Sequence, residues 1–105
     1  MENQDKNRKS SSQTGRKYLL RLFITGSSPR SIRAVNNLTG ICSKYMDGDY
    51  ELQIVDIYEK PELAGEDQII AIPTLIRILP APERRIIGDL SHTEEVMAGL
   101  GLEYS

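Results

Sequence analysis

The sequence predicts a single mixed α/β domain whose elements run strand, helix, strand, helix, strand, strand, helix. Three observations predict this order. Residues 18–25 are apolar at nearly every position, as expected of a strand that is covered on both faces. Residues 26–29 (GSSP) form a turn that can cap a helix, and residues 72–75 (IPTL) lead through a proline into a further strand. A chain of 105 residues supports one small core.

A polar leader precedes the predicted domain. Residues 1–17 contain five basic and two acidic side chains (+3), whereas the other 88 residues contain 8 basic and 13 acidic ones (−5). A basic tail can contact nucleic acid or an acidic partner. Asn, Gln, Ser and Lys without apolar residues bury too little surface to fold, so we expect residues 1–16 to be disordered and residues 17–105 to form the domain, with no nucleic-acid partner.

The first helix is predicted over residues 29–46. Ser27 or Ser28 offers the N-cap, and Pro29 suits the first helical turn because its missing N–H would be unpaired there. Residues 47–49 (DGD) end the helix. Apolar side chains recur at spacings of three and four and predict one buried stripe, made of Ile32, Val35, Leu38, Ile41, Cys42 and Tyr45.

The remaining elements follow from similar signals. Residues 50–58 read as a second strand, parallel to the first because a helix connects them. Residues 61–70 can form a short helix that Gly65 weakens, and residues 74–79 and 84–88 form an antiparallel pair around the bend at residues 80–82 (PAP). Residues 91–94 (SHTE) have capping-box spacing and predict a last helix, which Gly99 and Gly101 shorten.

This order is typical of thioredoxin-like domains. Redox members of that class carry C-x-x-C in the turn before the first helix. Here the turn reads GSSP, and the single cysteine, Cys42, lies on the predicted buried stripe, where it acts as a small hydrophobe. Pro73 stands where such domains place a cis-proline, although a sharp turn into an inner strand explains it equally well.

The sequence offers no convincing catalytic group. A nucleophilic serine needs a base within hydrogen-bond reach, and the only histidine, His92, belongs to a different predicted cap. One cysteine and one histidine make a metal site improbable. We therefore expect no enzyme activity, catalytic residue, cofactor or metal. No apolar run approaches a membrane span and no secretory signal is visible, so we expect a cytoplasmic protein.

Arg84 and Arg85 form the most suggestive polar pair. Successive side chains of a strand point to opposite faces, so each face receives one of these arginines, and Arg77 on the preceding strand can lie near one of them. The planar guanidinium suits bidentate contact with carboxylates of a partner. A solvated sheet edge and a partner-binding surface both fit this pattern.

Residues 80–91 (PAPERRIIGDLS) closely resemble the KaiB family of bacterial circadian clock proteins. Four further segments resemble it in the same order, and together they cover residues 18–102: residues 22–26, 29–34, 55–57 and 61–75. The resemblance implies a non-enzymatic clock or stress-timing protein. Such a protein binds the N-terminal ATPase ring of a KaiC-type hexamer and modulates its phosphorylation cycle. A KaiA protein or a SasA-like kinase pathway is a further implied partner.

The resemblance also implies site residues. The positions that match the family's KaiC-facing basic surface are Arg33, Arg77, Arg84 and Arg85, and Gln68 stands in place of a family lysine.

The same resemblance implies two alternative folds. One is a thioredoxin-like βαβαββα monomer, and the other is a homo-oligomer, a tetramer or dimer, with the rearranged order βαββααβ. We assign structural or switching roles to Pro73, Gly88, Asp89 and Gly99. Gly101, the polar leader and the end at residues 103–105 (EYS) depart from most members and suggest a divergent one.

Two other functions remain open. The chain could be a stand-alone copy of the thioredoxin-like sensor domain of the kinase SasA, competing for the same ring. It could also be a glutathione- or thiol-handling enzyme, although the missing cysteines weigh against that.

Overall fold

The computed structural model describes residues 16–102 and confirms the predicted order of seven elements. The elements are β1 (Tyr18–Ile24), α1 (Pro29–Tyr45), β2 (Tyr50–Asp56), α2 (Pro61–Glu66), β3 (Thr74–Leu79), β4 (Arg84–Ile87) and α3 (Thr93–Leu100).

The predicted leader lies outside the described residues except for its last residue, Arg16. The Arg16 Nη1 donates hydrogen bonds to the carbonyl oxygens of Gly48 and Tyr50, at 2.7 and 3.1 Å. Arg16, which the sequence analysis assigns to the leader, therefore contacts the loop before β2 and the first residue of β2.

The four strands form one sheet in the order β2-β1-β3-β4. As predicted, β1 lies inside the sheet and runs parallel to β2, and β3 pairs antiparallel with β4. The second strand ends at Asp56 rather than at Tyr58. The reason is a side chain: Asp56 Oδ1 accepts hydrogen bonds from the N–H groups of Gly26 and Tyr58, both at 3.0 Å, which turns the chain away from the sheet.

The sheet is covered on both faces. One face packs against α1 and α3 and carries the larger cluster, which includes Leu20, Leu22, Leu38, Leu75 and Leu100. The other face packs against α2 and the segment after it, through Phe23, Val55 and Ile76 with Leu63, Ala64, Ile69 and Ile72 around them. Side chains alternate between these faces along β1, which explains why that strand is apolar at nearly every position.

The buried stripe of α1 differs from the predicted one at its first turn. Ile32 is 47% exposed, and Val35 and Tyr45 are only partly buried, whereas Ser31 is buried. The buried Ser31 hydroxyl has a hydrogen-bond partner, because it accepts the Thr25 N–H at 3.0 Å. Ser28 is the N-cap, as predicted, and accepts the Ser31 N–H. The spacing of apolar residues does not predict that the buried face of α1 begins at Ser31, because that residue is polar and is buried through its hydrogen bonds.

The two shorter helices also differ from expectation. The second helix stops at Glu66 rather than near Ile70, and Gln68 then adopts a positive φ of 56°. The predicted capping box is wrong, because α3 begins after His92 without a side-chain cap and the Ser91 N–H instead donates to Asp89 Oδ1 at 3.1 Å.

Gly99 lies inside α3 and does not end it; Gly101 is the C-cap, with φ 76°. A Cβ at Gly99 would lie 2.7 Å from the Ile86 Cδ1, so the glycine allows α3 to approach β4 closely.

We expect opposite effects from alanine at two helical glycines. Gly99→Ala forces Ile86 out of its packing position and should lower the free energy of unfolding by about 1 kcal/mol. Gly40 is exposed on α1, and a Cβ there would meet no atom within 4 Å. Gly40→Ala should therefore raise the free energy of unfolding by about 1 kcal/mol through helix propensity. Urea unfolding of both variants measures the difference, and equal stabilisation by both would contradict the described packing of α3 on β4.

Candidate partner-binding surface

Arg33 lies on the exposed side of α1 and is already engaged. Its Nε donates to Asp89 Oδ2 at 3.0 Å, and Asn37, one turn further along, donates Nδ2 to the Asp89 carbonyl oxygen at 2.9 Å. These two bonds tie the loop between β4 and α3 to α1. The structure therefore gives Arg33 an internal partner in addition to the partner-binding role that the sequence predicts.

Asp89 is the acceptor at the centre of this loop. Hydrogen bonds from Ser91, and then from Arg33, stabilise its carboxylate and lower its pKa from 3.8 to about 2. A carboxyl group whose folded-state pKa is depressed stabilises the fold above its unfolded pKa. That contribution disappears as the pH falls through the folded-state pKa.

We expect Asp89→Asn to lower stability in a pH-dependent way. The difference from the unsubstituted protein should be complete above about pH 5, shrink below about pH 4 and vanish near pH 2. Chemical denaturation at several pH values measures it. Glu59→Gln makes the same chemical change at another exposed carboxyl and is the control. A difference that persists unchanged at pH 2 would show that the Asp89 charge is not its cause.

Arg77 is buried rather than exposed. Its residue surface is 7% accessible, and its Nη2 donates to the Pro82 carbonyl oxygen at 2.7 Å. Among residues 16–102 its Nε has no hydrogen-bond partner, and no carboxylate there lies within the 4.0 Å of a salt bridge. A Cβ at Gly101 would lie 3.2 Å from its Nη1, so the guanidinium faces the negative end of the α3 dipole.

Arg84 and Arg85 point to opposite faces of the sheet, as predicted. In the strand register Arg84 lies opposite Arg77, on the sheet face that packs against α1 and α3. Arg85 lies opposite Ile76, on the face that packs against α2. Both arginines are exposed. Arg85 donates Nε to Glu83 Oε2 at 3.1 Å and Nη1 to the Gln68 carbonyl oxygen at 3.3 Å. The Arg84 side chain makes no hydrogen bond or ion pair with another described residue.

The structure therefore gathers four of the five predicted binding residues around β4. These are Arg77, Arg84, Arg85 and Gln68, whereas Arg33 lies apart with Asp89 beyond the other end of that strand. Their role in partner binding stays a prediction.

The positions assigned structural roles meet at the end of β4. The Ile72–Pro73 peptide bond is cis, and the Pro73 carbonyl accepts the Gly88 N–H at 2.9 Å. Gly88 has φ 117°, which residues with a Cβ rarely adopt. Leu90 follows with φ 64° although it is buried, an unusual conformation for a bulky side chain. A switching role for Pro73, Gly88, Asp89 and Gly99 stays a prediction.

The turn that would hold C-x-x-C holds hydroxyls. The Ser28 hydroxyl donates to the Ser31 hydroxyl at 2.9 Å and caps α1 by accepting the Ser31 N–H, while the Ser31 hydroxyl accepts the Thr25 N–H. Cys42 is buried, which raises the pKa of its thiol to about 11 and disfavours the reactive thiolate. Within residues 16–102 no group of three metal-ligating side chains is found. None of the described helices is long and apolar enough to cross a membrane.

Sequence reasoning missed several surface residues. Asn37 could have been found, because it stands four positions after Arg33 and so shares its helix face. Ile70 and Ile87 are 91% and 61% exposed, and their type predicts burial instead. Pro82 contributes only its main-chain carbonyl, which no sequence pattern reveals.

Comparison with known proteins identifies the family. The KaiB domain model matches residues 21–102. The chain belongs to the KaiB family. The circadian clock oscillator protein KaiB of Thermosynechococcus vestitus (strain NIES-2133 / IAM M-273 / BP-1) is 48% identical over 87 residues, covering 83% of this chain and 81% of that protein. KaiB of Prochlorococcus marinus (strain NATL2A) is 49% identical over 87 residues, with the same coverage.

Solved structures confirm the thioredoxin-like fold of this KaiB-family protein. The N-terminal domain of Synechococcus elongatus SasA matches with a TM-score of 0.67 at 21% identity, covering 91% of this chain and 94% of that one. Mitochondrial thioredoxin 3 of Saccharomyces cerevisiae also matches with a TM-score of 0.67, at 22% identity, covering 83% of this chain and 80% of that one. Identities this low establish the fold alone.

Proposed function

We propose that this KaiB-family protein binds the N-terminal ATPase ring of a KaiC-type hexamer and modulates its phosphorylation cycle without catalysing a reaction itself. The observation that carries this proposal is the presence of two exposed arginines, Arg84 and Arg85, on the β3–β4 hairpin in a chain of this family. The output is circadian timing or stress timing. The location is the cytoplasm, and a KaiA protein or a SasA-like kinase pathway is a further partner.

Charge supports this choice of surface. Residues 18–105 carry a net charge of −5, so a hairpin that presents Arg84 and Arg85 to solvent stands out from its surroundings. A cationic patch on an acidic protein orients the encounter with an acidic partner and accelerates association at low salt. The Arg84 guanidinium is available for a partner carboxylate, because this side chain makes no hydrogen bond or ion pair with another described residue.

The surroundings of the candidate nucleophiles support the proposal that the protein is not an enzyme. The Ser28 hydroxyl caps α1, the Ser31 hydroxyl is hydrogen-bonded to Ser28 and Thr25, and the thiol of Cys42 is buried. Nucleophilic catalysis requires a base beside the nucleophile, and His92 is an exposed residue at the start of α3.

Co-elution tests the proposal directly. The full chain is mixed with the KaiC-type hexamer of its own organism and ATP, and the mixture is separated by size exclusion. We expect the chain to elute with the hexamer in at least one phosphorylation state. A thioredoxin of the same organism, which shares the fold, is the control. If the chain stays in the low-mass fractions in both states, the proposed function is wrong.

A SasA-like sensor is the second candidate. The structural match to the SasA N-terminal domain supports it, because similar domains can compete for one ring. The two candidates differ in oligomer behaviour: the resemblance to KaiB implies a slow exchange between a tetramer or dimer and a monomer, whereas a sensor domain should stay monomeric. Sedimentation over a concentration series separates them.

A further inference from the structure

The outer edge of β4 is a free strand edge. The sheet order places β4 at one end, and β3 is its only partner strand among residues 16–102. Residues of an antiparallel pair alternate between hydrogen-bonded and non-hydrogen-bonded pairs. The Gly88 N–H donates to the Pro73 carbonyl, which places Leu75–Ile86 and Arg77–Arg84 among the hydrogen-bonded pairs.

It follows that Arg85 and Ile87 direct their main-chain N–H and carbonyl groups away from β3. These two residues belong to the alternate pairs, with Ile76 and Thr74 respectively. A strand edge with outward donors and acceptors is a template for another extended segment.

Exposed apolar side chains lie on β4 and in the segment before β3. Ile87 is 61% exposed, and Ile70, in the segment between α2 and β3, is 91% exposed. Two hydrogen bonds hold that segment beside β4: Arg85 donates to the Gln68 carbonyl and Gly88 donates to the Pro73 carbonyl. In the sequence Ile70 lies between Gln68 and Pro73. An extended segment paired with β4 would therefore meet the exposed side chain of Ile87 on the α2 face.

Charge decides what occupies the edge. On one face the exposed Arg84 side chain has no ion-pair partner among residues 16–102, and Arg85 is exposed on the other face. Pairing β4 with β4 of a second copy would bring four arginines together, and like charges across strands are destabilising. An incoming segment with carboxylates opposite the arginines and apolar residues opposite Ile87 is favoured instead.

We propose that β4 accepts an extended segment of a second protein, rich in apolar and acidic residues, as a fifth strand of the sheet. This inference rests on the proposed function in one respect, which is that the KaiC-type hexamer supplies the segment. The mode of binding, main-chain pairing at Arg85 and Ile87, is the new element.

Two substitutions at one position separate main-chain pairing from side-chain contact. Ile87→Ala and Ile87→Pro both remove the exposed apolar side chain, but only proline removes the outward N–H, and an edge strand tolerates proline there. We expect Ile87→Pro to weaken binding to the KaiC-type hexamer roughly tenfold more than Ile87→Ala does. A tenfold loss of affinity corresponds to about one lost hydrogen bond between the two proteins. Far-UV circular dichroism and thermal melting check that both variants remain folded.

Amide hydrogen exchange of the unsubstituted complex supplies an independent readout. The amides of Arg85 and Ile87 should exchange more slowly when the hexamer is bound. Unchanged exchange at both amides in a complex that forms would overturn strand addition while leaving the proposed function intact. Failure of the unsubstituted chain to bind at all would instead overturn the proposed function. Dimerisation of the chain alone that Ile87→Pro abolishes would show that a second copy occupies the edge, and would also overturn the inference.

Discussion

Arg77→Met should raise the free energy of unfolding by roughly 1–3 kcal/mol, although most core substitutions lower it. Arg77 is 7% exposed as a residue, its guanidinium has no carboxylate partner among residues 16–102, and its buried Nε has no hydrogen bond to a described residue. Methionine fills a similar volume without a charge. Urea denaturation of the free protein at neutral pH measures the change.

The free-energy contributions at Arg77 favour a gain in stability when the charge is removed. Removing a cation from water costs several kcal/mol even after the protein relaxes, and an unsatisfied buried donor adds about 1–3 kcal/mol. Against this, the charged hydrogen bond to Pro82 contributes about 1.5–3 kcal/mol and the α3 dipole about 0.3–1 kcal/mol. The loss at Pro82 is softened because that residue is exposed and its carbonyl can bind water.

Two further variants identify the cause of the effect. Arg77→Lys keeps the charge and should not stabilise, and Arg77→Ala removes both charge and volume and should destabilise by leaving a cavity. Destabilisation by Arg77→Met as well would show that the buried arginine contributes net stability. If Arg77 also contacts the partner, Arg77→Met should stabilise the free protein while weakening the complex.

The sequence predicts the elements well where local chemistry determines them. Ser28 and Pro29 start α1, and the apolar run of β1 places that strand inside the sheet. The sequence predicts the bounds of an element less well where those bounds depend on residues outside that element. The end of β2 depends on Asp56 accepting the Gly26 N–H thirty positions away, and the start of α3 depends on Asp89 taking the Ser91 N–H that a capping box would use otherwise.

The candidate surface follows the same division. Alternation along β4 correctly predicts that Arg84 and Arg85 face opposite sides. The burial of Arg77 could not be predicted, because it depends on the Pro82 carbonyl and on how closely the end of α3 approaches β3. The Arg33–Asp89 pair joins positions 56 apart. Arginines that look equivalent in the sequence therefore have different surroundings: Arg77 is buried, Arg33 and Arg85 each form an ion pair, and Arg84 forms none with another described residue.

Arg84→Glu combined with Arg85→Glu should weaken binding to the KaiC-type hexamer by roughly 10–100-fold at low salt. Both residues are exposed on the hairpin, and the reversal changes its charge by four units. The salt dependence should change as well. Binding of the unsubstituted chain should weaken as salt screens the attraction, whereas the variant should lose less affinity or gain some as salt screens the repulsion. Calorimetric titration at two salt concentrations measures both effects.

A control with the same charge change separates local contact from net charge. Lys44→Glu combined with Lys60→Glu alters two exposed lysines away from β4 and should reduce affinity far less. Arg85 also bonds Glu83 and the Gln68 carbonyl, so its substitution can displace the segment that contains Gln68. The single Arg84→Glu variant breaks no side-chain hydrogen bond or ion pair to a described residue. A loss of affinity in that variant therefore reports the lost attraction to the partner. Equal losses for the two double variants would mean that overall charge steers binding, and unchanged affinity of the arginine variants would remove β4 from the contact surface.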